Sequence, residues 1–369
     1  MKANKRNNLV FFFTIFAIWI LAILVKLNFN GLVFGFDYGL YHPDGALYTT
    51  RALDWSGYSE IEAAKAVASW YNTHAFKFNS IDAIGLLYAN HPLYAEYSTR
   101  ILYPLLSVPF VKLFGIPGML VIPALSLLTL MLLVANVGIR QDKRFITVVV
   151  LFLLSSSSTV MRWMLSNTTD ALLVAVFSFA GFLLVKKVSN SIWWLAFGVL
   201  VLLSGITRIS VVFWVVIAVF LSSQKLKTRS FYIVFLSILV VIPTLLTHQS
   251  SSFLAVEGNR PLLEKLILYP FYLVKVTFYE IMQLIVLDRI FFLICALCVY
   301  ISLRNIHKDS SKLFLYILFA GLITGALNGN VGVNFRYQLP VLYFICWSLI
   351  DNLNFSFDFF KRKNGNQKT

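Results

Sequence analysis

Leu9-Val10-Phe11-Phe12-Phe13-Thr14-Ile15-Phe16-Ala17-Ile18-Trp19-Ile20-Leu21-Ala22-Ile23-Leu24-Val25 carries one hydroxyl and no charge. A helix needs roughly 20 apolar residues to cross the hydrocarbon of a bilayer, and this run reads as such a helix. Lys2, Lys5 and Arg6 precede it. A secretory signal would end in a small-residue cleavage site, and Lys26-Leu27-Asn28-Phe29-Asn30 offers none. The segment therefore reads as an uncleaved anchor whose basic flank stays in the cytoplasm.

The rest of the chain repeats that pattern. Of 369 residues 59% are apolar and 13% charged, with a mean hydropathy of +0.78. Soluble proteins average about 25% charged residues, so the polar shell of a globular domain is missing. The net charge of +15 lies in short clusters between apolar blocks. That placement fits the positive-inside rule rather than a nucleic-acid surface. Cys295, Cys298 and Cys346 fall inside apolar segments and read as small buried hydrophobes, although the first two have the spacing of a redox motif.

The basic clusters thread the chain. Arg140/Lys143/Arg144, Lys186/Lys187, Lys225/Lys227/Arg229, Arg304/Lys308/Lys312 and Lys361/Arg362/Lys363 should all be cytoplasmic, so an even number of crossings joins each to the next. Parity then assigns the doubtful stretches. The stretch 101–114, with Pro104, Pro109 and Lys112, is expected to lie flat in the outer interface. So is 261–287, with Lys265, Pro270, Lys275 and Glu280. The expected fold is an all-α membrane protein, a polytopic bundle of about ten transmembrane helices. The spans fall near 9–27, 117–139, 145–164, 170–186, 191–206, 208–223, 230–247, 286–303, 312–327 and 337–353. Residues 1–369 form one transmembrane domain; 28–116 and 248–285 are extracytoplasmic loops carrying interfacial helices. No internal repeat is legible.

Ionisable groups at membrane depth are expensive and mark pathways or sites, so the polar residues at the outer helix ends carry the functional reading. Asp44 follows Pro43 in the first turn of an expected helix, where an ionised carboxylate faces the positive helix end. That suits a general base; it equally suits a residue that only satisfies the helix start. Arg100, where a polar loop meets the interfacial stretch, suits a lipid phosphate, Asp44 or a headgroup. Asp170, after Asn167-Thr168-Thr169, begins the fourth span and reads as a site acid or as ordinary capping. Arg208 and Arg336 have no cytoplasmic placement in this topology. Together they suit an anion, since a guanidinium grips phosphate oxygens through two parallel hydrogen bonds; either alone suits snorkelling. The five histidines lack metal-ligand spacing, and no metal site is expected.

In this order, these segments resemble the GT-C superfamily of integral membrane glycosyltransferases. The likeness rests on Pro43-Asp44-Gly45 with Tyr48 after the first span, and on Arg100 with Tyr103-Pro104-Leu105-Leu106 heading an interfacial helix. It continues in Thr169-Asp170-Ala171, Thr207-Arg208 and, opening the last helix, Arg336-Tyr337 with Pro340. The first loop is also similar to bacterial membrane proteins of cell-surface glycopolymer formation. The superfamily's first loop often carries two adjacent acids; here Gly45 follows Asp44, and Asp37 is the next acid before it.

The resemblance implies a polyprenyl-phosphate-sugar donor and a glycan, lipid or protein acceptor. Transfer would be one-step and inverting at the extracytoplasmic face of a bacterial inner membrane. The missing partner acid weakens a metal-assisted mechanism, and the sequence indicates no cofactor, a divalent metal being left open. Asp44 would be the base and Asp170 a second catalytic acid. Asp37, Tyr48, Arg100, Tyr103, Arg208, Arg336 and Tyr337 would bind substrate, with the donor phosphate near Arg208 and Arg336. Three alternatives remain: a polymerase or ligase using polyprenyl-pyrophosphate-linked glycans, a transporter or flippase, and an inactive scaffold that keeps the fold without the chemistry. Neither broken helices nor symmetric halves, the marks of a transporter, can be read from the sequence.

Overall fold

The computed structural model describes residues 2–28, 41, 43–74, 100–185, 262–327 and 336–353. The expected spans 191–206, 208–223 and 230–247, together with Asp37 and Arg208, lie outside the described residues. Every regular element described is helical, and no strand occurs among the described residues.

Helix α1 (Lys2–Asn28) buries one stripe, Phe11, Ile15, Ile18 and Ala22, at helical spacing. Its other faces expose Leu9, Val10, Phe13, Leu21 and Leu24. Asn7–Leu27 and Ile116–Arg140 are each long and apolar enough to cross a membrane. The second of these starts as a 3-10 turn, Ile116–Leu120, and continues as α5 (Val121–Arg140). Trp19 Nε1 donates to the Ala124 carbonyl at 2.8 Å and ties α1 to α5.

Between them, α2 (Pro43–Ser56), α3 (Glu60–His74) and α4 (Leu102–Phe114) form a smaller cluster around Tyr48, Tyr71 and Tyr103. Helix α4 buries Tyr103, Pro104, Ser107 and Val111 and exposes Leu105, Leu106, Leu113 and Phe114. Gly118 lets the chain pass this helix, since a Cβ there would lie 2.2 Å from the Phe110 carbonyl oxygen.

The expected single span 145–164 is instead two helices, α6 (Arg144–Ser155) and α7 (Ser158–Met164), bent by 78°. Downstream, α8 (Asp170–Val185) is one helix, and α9 (Leu262–Leu287) runs unbroken through Pro270 over the expected interfacial stretch. It gives way at Asp288 to α10 (Arg289–Arg304), followed by α11 (Asp309–Leu327). The last expected span opens as a 3-10 turn, Arg336–Val341, before α12 (Leu342–Asn352).

The bend at 155–158 and the break at 288 have one cause. Asp288 Oδ2 accepts from Ser157 Oγ at 2.6 Å and from the Thr159 amide at 2.7 Å, while Oδ1 accepts from the Phe291 amide at 3.0 Å. Ser157 also caps its own helix by accepting from the Val160 amide. One buried carboxylate therefore satisfies donors at two helix N-termini, where a negative charge is favoured. Charge-assisted bonds of this kind contribute about 1.5–3 kcal/mol each.

The basic turns meet at one end of the bundle. Lys143 and Lys308 both donate to the Asp351 carbonyl, at 2.9 and 3.3 Å. Gln141 and Ser310 hold the Asp351 carboxylate at 3.1 and 2.6 Å. Arg144 reaches Asn8 near the start of α1. Helices α8 and α12 run between this end and the opposite one, where Asp170 and Arg336 lie.

Candidate active site

Three chain segments converge at that opposite end, each presenting one charged side chain. Pro43 fixes the start of α2 and puts Asp44 in its first turn. Asp170 sits in the first turn of α8, after the run 165–169. Arg336 opens the 3-10 turn before α12. Both carboxylates thus face the positive end of a helix, and the arginine joins them. Its Nη1 lies 2.7 Å from Asp44 Oδ2, and its Nε donates to Asp170 Oδ2 at 2.9 Å. The Asp170 and Arg336 side chains are 1% and 8% exposed, Asp44 20%. Asp44 is therefore the acid that a molecule from outside can reach. Beneath the guanidinium lies Trp163, with Arg336 Cζ 4.6 Å from the ring centroid, a cation–π contact in a dry setting.

The residue after Asp44 is glycine for lack of space. A Cβ on Gly45 would fall 2.0 Å from Asn167 Oδ1. Asn167 is held there by donating to the Tyr71 hydroxyl at 2.5 Å and to Thr49 Oγ1 at 3.4 Å. The second acid that the resemblance leads one to expect has no room at this position. Asn167, fully buried, joins α2, α3 and the approach to α8.

Tyr48, one turn along α2 from Asp44, accepts from Arg100 Nη1 at 2.9 Å. Its ring meets Tyr103 edge-on at 5.6 Å, and the Tyr103 hydroxyl donates to the Met119 carbonyl at 2.8 Å. Burial pushes the Tyr48 phenol above its ordinary range, which the Arg100 charge only partly offsets. Tyr48 is thus a neutral hydroxyl at neutral pH. The fields of Asp44 and Arg336 also reach it, so the Tyr48–Arg100 pair borders the ion-paired centre.

Of the residues singled out from the sequence, the structure brings Asp44, Asp170 and Arg336 into direct contact, with Tyr48, Arg100 and Tyr103 alongside. Tyr337 belongs to the 3-10 turn, and its side chain lies outside the described residues, as do Asp37 and Arg208. Trp163 and the Asn167–Gly45 contact were not legible. For Asn167 a signal existed, a polar run inside an apolar stretch; for Trp163 there was none.

Chemically, one guanidinium shared by two carboxylates leaves the trio with a formal charge of −1. It holds Asp44 as a carboxylate at a partly open edge and fixes its position through a buried partner. Among the described residues no three His, Cys, Asp or Glu side chains gather as metal ligands. No protein family, curated protein or solved structure matches the chain.

Proposed function

We propose that the chain is a glycosyltransferase that moves a sugar from a polyprenyl-phosphate-linked donor to an acceptor hydroxyl, with inversion, at the extracytoplasmic face of a bacterial inner membrane. The observation that carries this reading is the Asp44–Arg336–Asp170 centre. It joins Arg336 to Asp170, 166 positions away in sequence, and to the still more distant Asp44, at the end of the bundle opposite the basic turns. In this proposal the chain crosses the membrane about ten times, the basic turns are cytoplasmic and the centre faces out.

Asp44 takes the proton from the acceptor hydroxyl as that oxygen attacks the anomeric carbon. The bond from that carbon to the phosphate oxygen breaks with its electrons, leaving polyprenyl phosphate. Arg336 and Asp170 position Asp44; Tyr48 and Arg100 border the acceptor side. The acceptor is a glycan, lipid or protein hydroxyl. Preorganised charge of this kind is often the largest single contribution to such a rate.

One observation favours a transporter instead: the sharply bent pair α6 and α7, since transporters bind substrate at broken helices. Here the freed amide of Thr159 is taken by Asp288, so the chain's own carboxylate occupies the place of a substrate anion.

The donor class tests the proposal. The purified protein in nanodiscs is given polyprenyl-phosphate monosaccharides or polyprenyl-pyrophosphate oligosaccharides, with a mixed acceptor extract. Consumption of a monosaccharide-phosphate lipid alone is expected. Consumption of the pyrophosphate lipid alone assigns the protein to polymerases or ligases.

A further inference from the structure

The end of the bundle away from the Asp44–Arg336–Asp170 centre holds a second gathering of charge. Both helices long and apolar enough to cross a membrane stop here. Ile116–Arg140 ends at Arg140, and Asn7–Leu27 begins here, with Asn8 accepting from Arg144 Nε at 3.1 Å. Side chains at this level therefore sit at the depth of lipid headgroups rather than in hydrocarbon. Lys143 lies three residues past the end of α5, and Lys308 closes the turn between α10 and α11.

Lys143 Nζ and Lys308 Nζ donate to one acceptor, the Asp351 carbonyl oxygen, at 2.9 and 3.3 Å. Their separation cannot exceed the sum of these two bonds, so one phosphate can reach both. The oxygen they share is neutral. The Asp351 carboxylate is held instead by Gln141 at 3.1 Å and Ser310 at 2.6 Å, and Asp142 pairs with Arg144. Among the described residues no carboxylate lies within ion-pair distance of either lysine. An ammonium has three N–H donors, and each of these two places one of them on the carbonyl. Both side chains are half-buried. Partial burial pushes the Lys143 ammonium below its ordinary range; the Asp351 charge, from beyond ion-pair distance, offsets part of this and Lys308 adds to it.

Apolar stripes run from this end along two helices. Phe145, Val149 and Phe152 recur at helical spacing on α6, and Leu293, Leu297 and Tyr300 do so on α10, all of them exposed. Faces of this kind suit acyl chains, which a soluble anion does not bring.

We infer that Lys143 and Lys308 form a binding site for the phosphate of an anionic phospholipid, in the leaflet on the side of the basic turns. The phosphate oxygens bridge the two ammonium groups, and the acyl chains lie along the exposed faces of α6 and α10. Basic pockets between helices at a membrane surface recognise headgroups in this way. A lipid bound here fastens the end of α12 to the turns on either side of it. The site stands apart from the proposed function, whatever reaction the opposite end performs.

The full-length protein, purified in detergent, is offered phosphatidylglycerol or phosphatidylcholine with the same acyl chains, and retained lipid is counted by native mass spectrometry. Wild-type protein should bind phosphatidylglycerol about tenfold more tightly, a comparison that needs no variant. Lys143→Gln and Lys308→Gln should each weaken that binding roughly fivefold or more, while Lys143→Arg and Lys308→Arg should retain most of it. Lys312→Gln, exposed one turn along α11 from Lys308, should leave it unchanged. Glycerol phosphate, which has the same charged group and no acyl chains, should not displace the lipid at equal concentration.

Equal binding of the two lipids overturns the inference, as does unchanged affinity in both glutamine variants. A loss in Lys312→Gln as large as in Lys143→Gln also overturns it, by making the attraction a property of the whole basic end. Displacement by glycerol phosphate overturns it by making the pair a site for a soluble anion. Should a glutamine variant fail to fold, the wild-type lipid preference and the arginine variants decide. No arm reads sugar transfer, so failure here leaves the proposed function untouched, and failure of that function leaves this site untouched.

Discussion

Arg336→Ala is expected to destabilise the protein by about 3–5 kcal/mol, the range for removing one partner of a buried ion pair. The loss falls on Asp170, whose carboxylate is 1% exposed and pairs with Arg336 Nε. Without the guanidinium that charge has no water to turn to. Asp44, 20% exposed, is better able to recover solvent. Arg336→Lys should restore only part of the stability, because the ammonium donates from a single nitrogen and lacks the spread by which Nε and Nη1 reach the two acids. The double variant Arg336→Met/Asp170→Leu should be more stable than Arg336→Ala, since it removes the stranded charge along with its partner. Thermal unfolding in detergent measures all three. Additive losses in the double variant would mean that the two residues do not act as a pair.

Asp44→Asn is expected to leave a folded protein with turnover reduced by about 100- to 10,000-fold, the usual contribution of a general base. The change keeps the size of the side chain and its suitability for the helix start, where Asn serves about as well as Asp. It removes the ion pair to Arg336 at the more open of the two contacts, so the stability loss should be smaller than that of Arg336→Ala. Asp170→Asn is the informative comparison. Its position predicts the larger loss of stability and the milder loss of turnover, because a positioning residue acts through Arg336. Normal turnover in Asp44→Asn together with an inactive but folded Asp170→Asn would transfer the role of base to Asp170.

The charged centre was legible residue by residue, and its assembly was not. Asp44, Asp170 and Arg336 stand out because each interrupts an apolar chain at a helix end, and parity put them on one side. Parity has no lateral information, so the pairing of two acids with one arginine was open, and a phosphate was the natural guess for Arg336. The guess about Gly45 had the same limit. A missing acid looks like a lost function until Asn167 is seen to fill the space.

Helices α1, α5 and α8 cover the expected apolar runs as single helices, and α1 and the helix through α5 are long and apolar enough to cross a membrane, because an apolar run satisfies its own backbone only as a helix. The bend between α6 and α7 escaped because the stretch 151–164 is apolar enough to read as continuous. The serine run 155–158 was a local hint, but its partner, Asp288, lies 131 residues away from Ser157 in sequence.

The most direct measurement follows the sugar. Sealed vesicles containing the purified protein are loaded with a polyprenyl phosphate carrying a radiolabelled monosaccharide and supplied with an acceptor extract outside. Sugar transfer predicts that label leaves the lipid and appears in a glycosidic bond to acceptor, with unlabelled polyprenyl phosphate formed in equal amount and the anomeric configuration inverted. Label that stays on intact lipid while crossing from one leaflet to the other would contradict the account and make the chain a transporter.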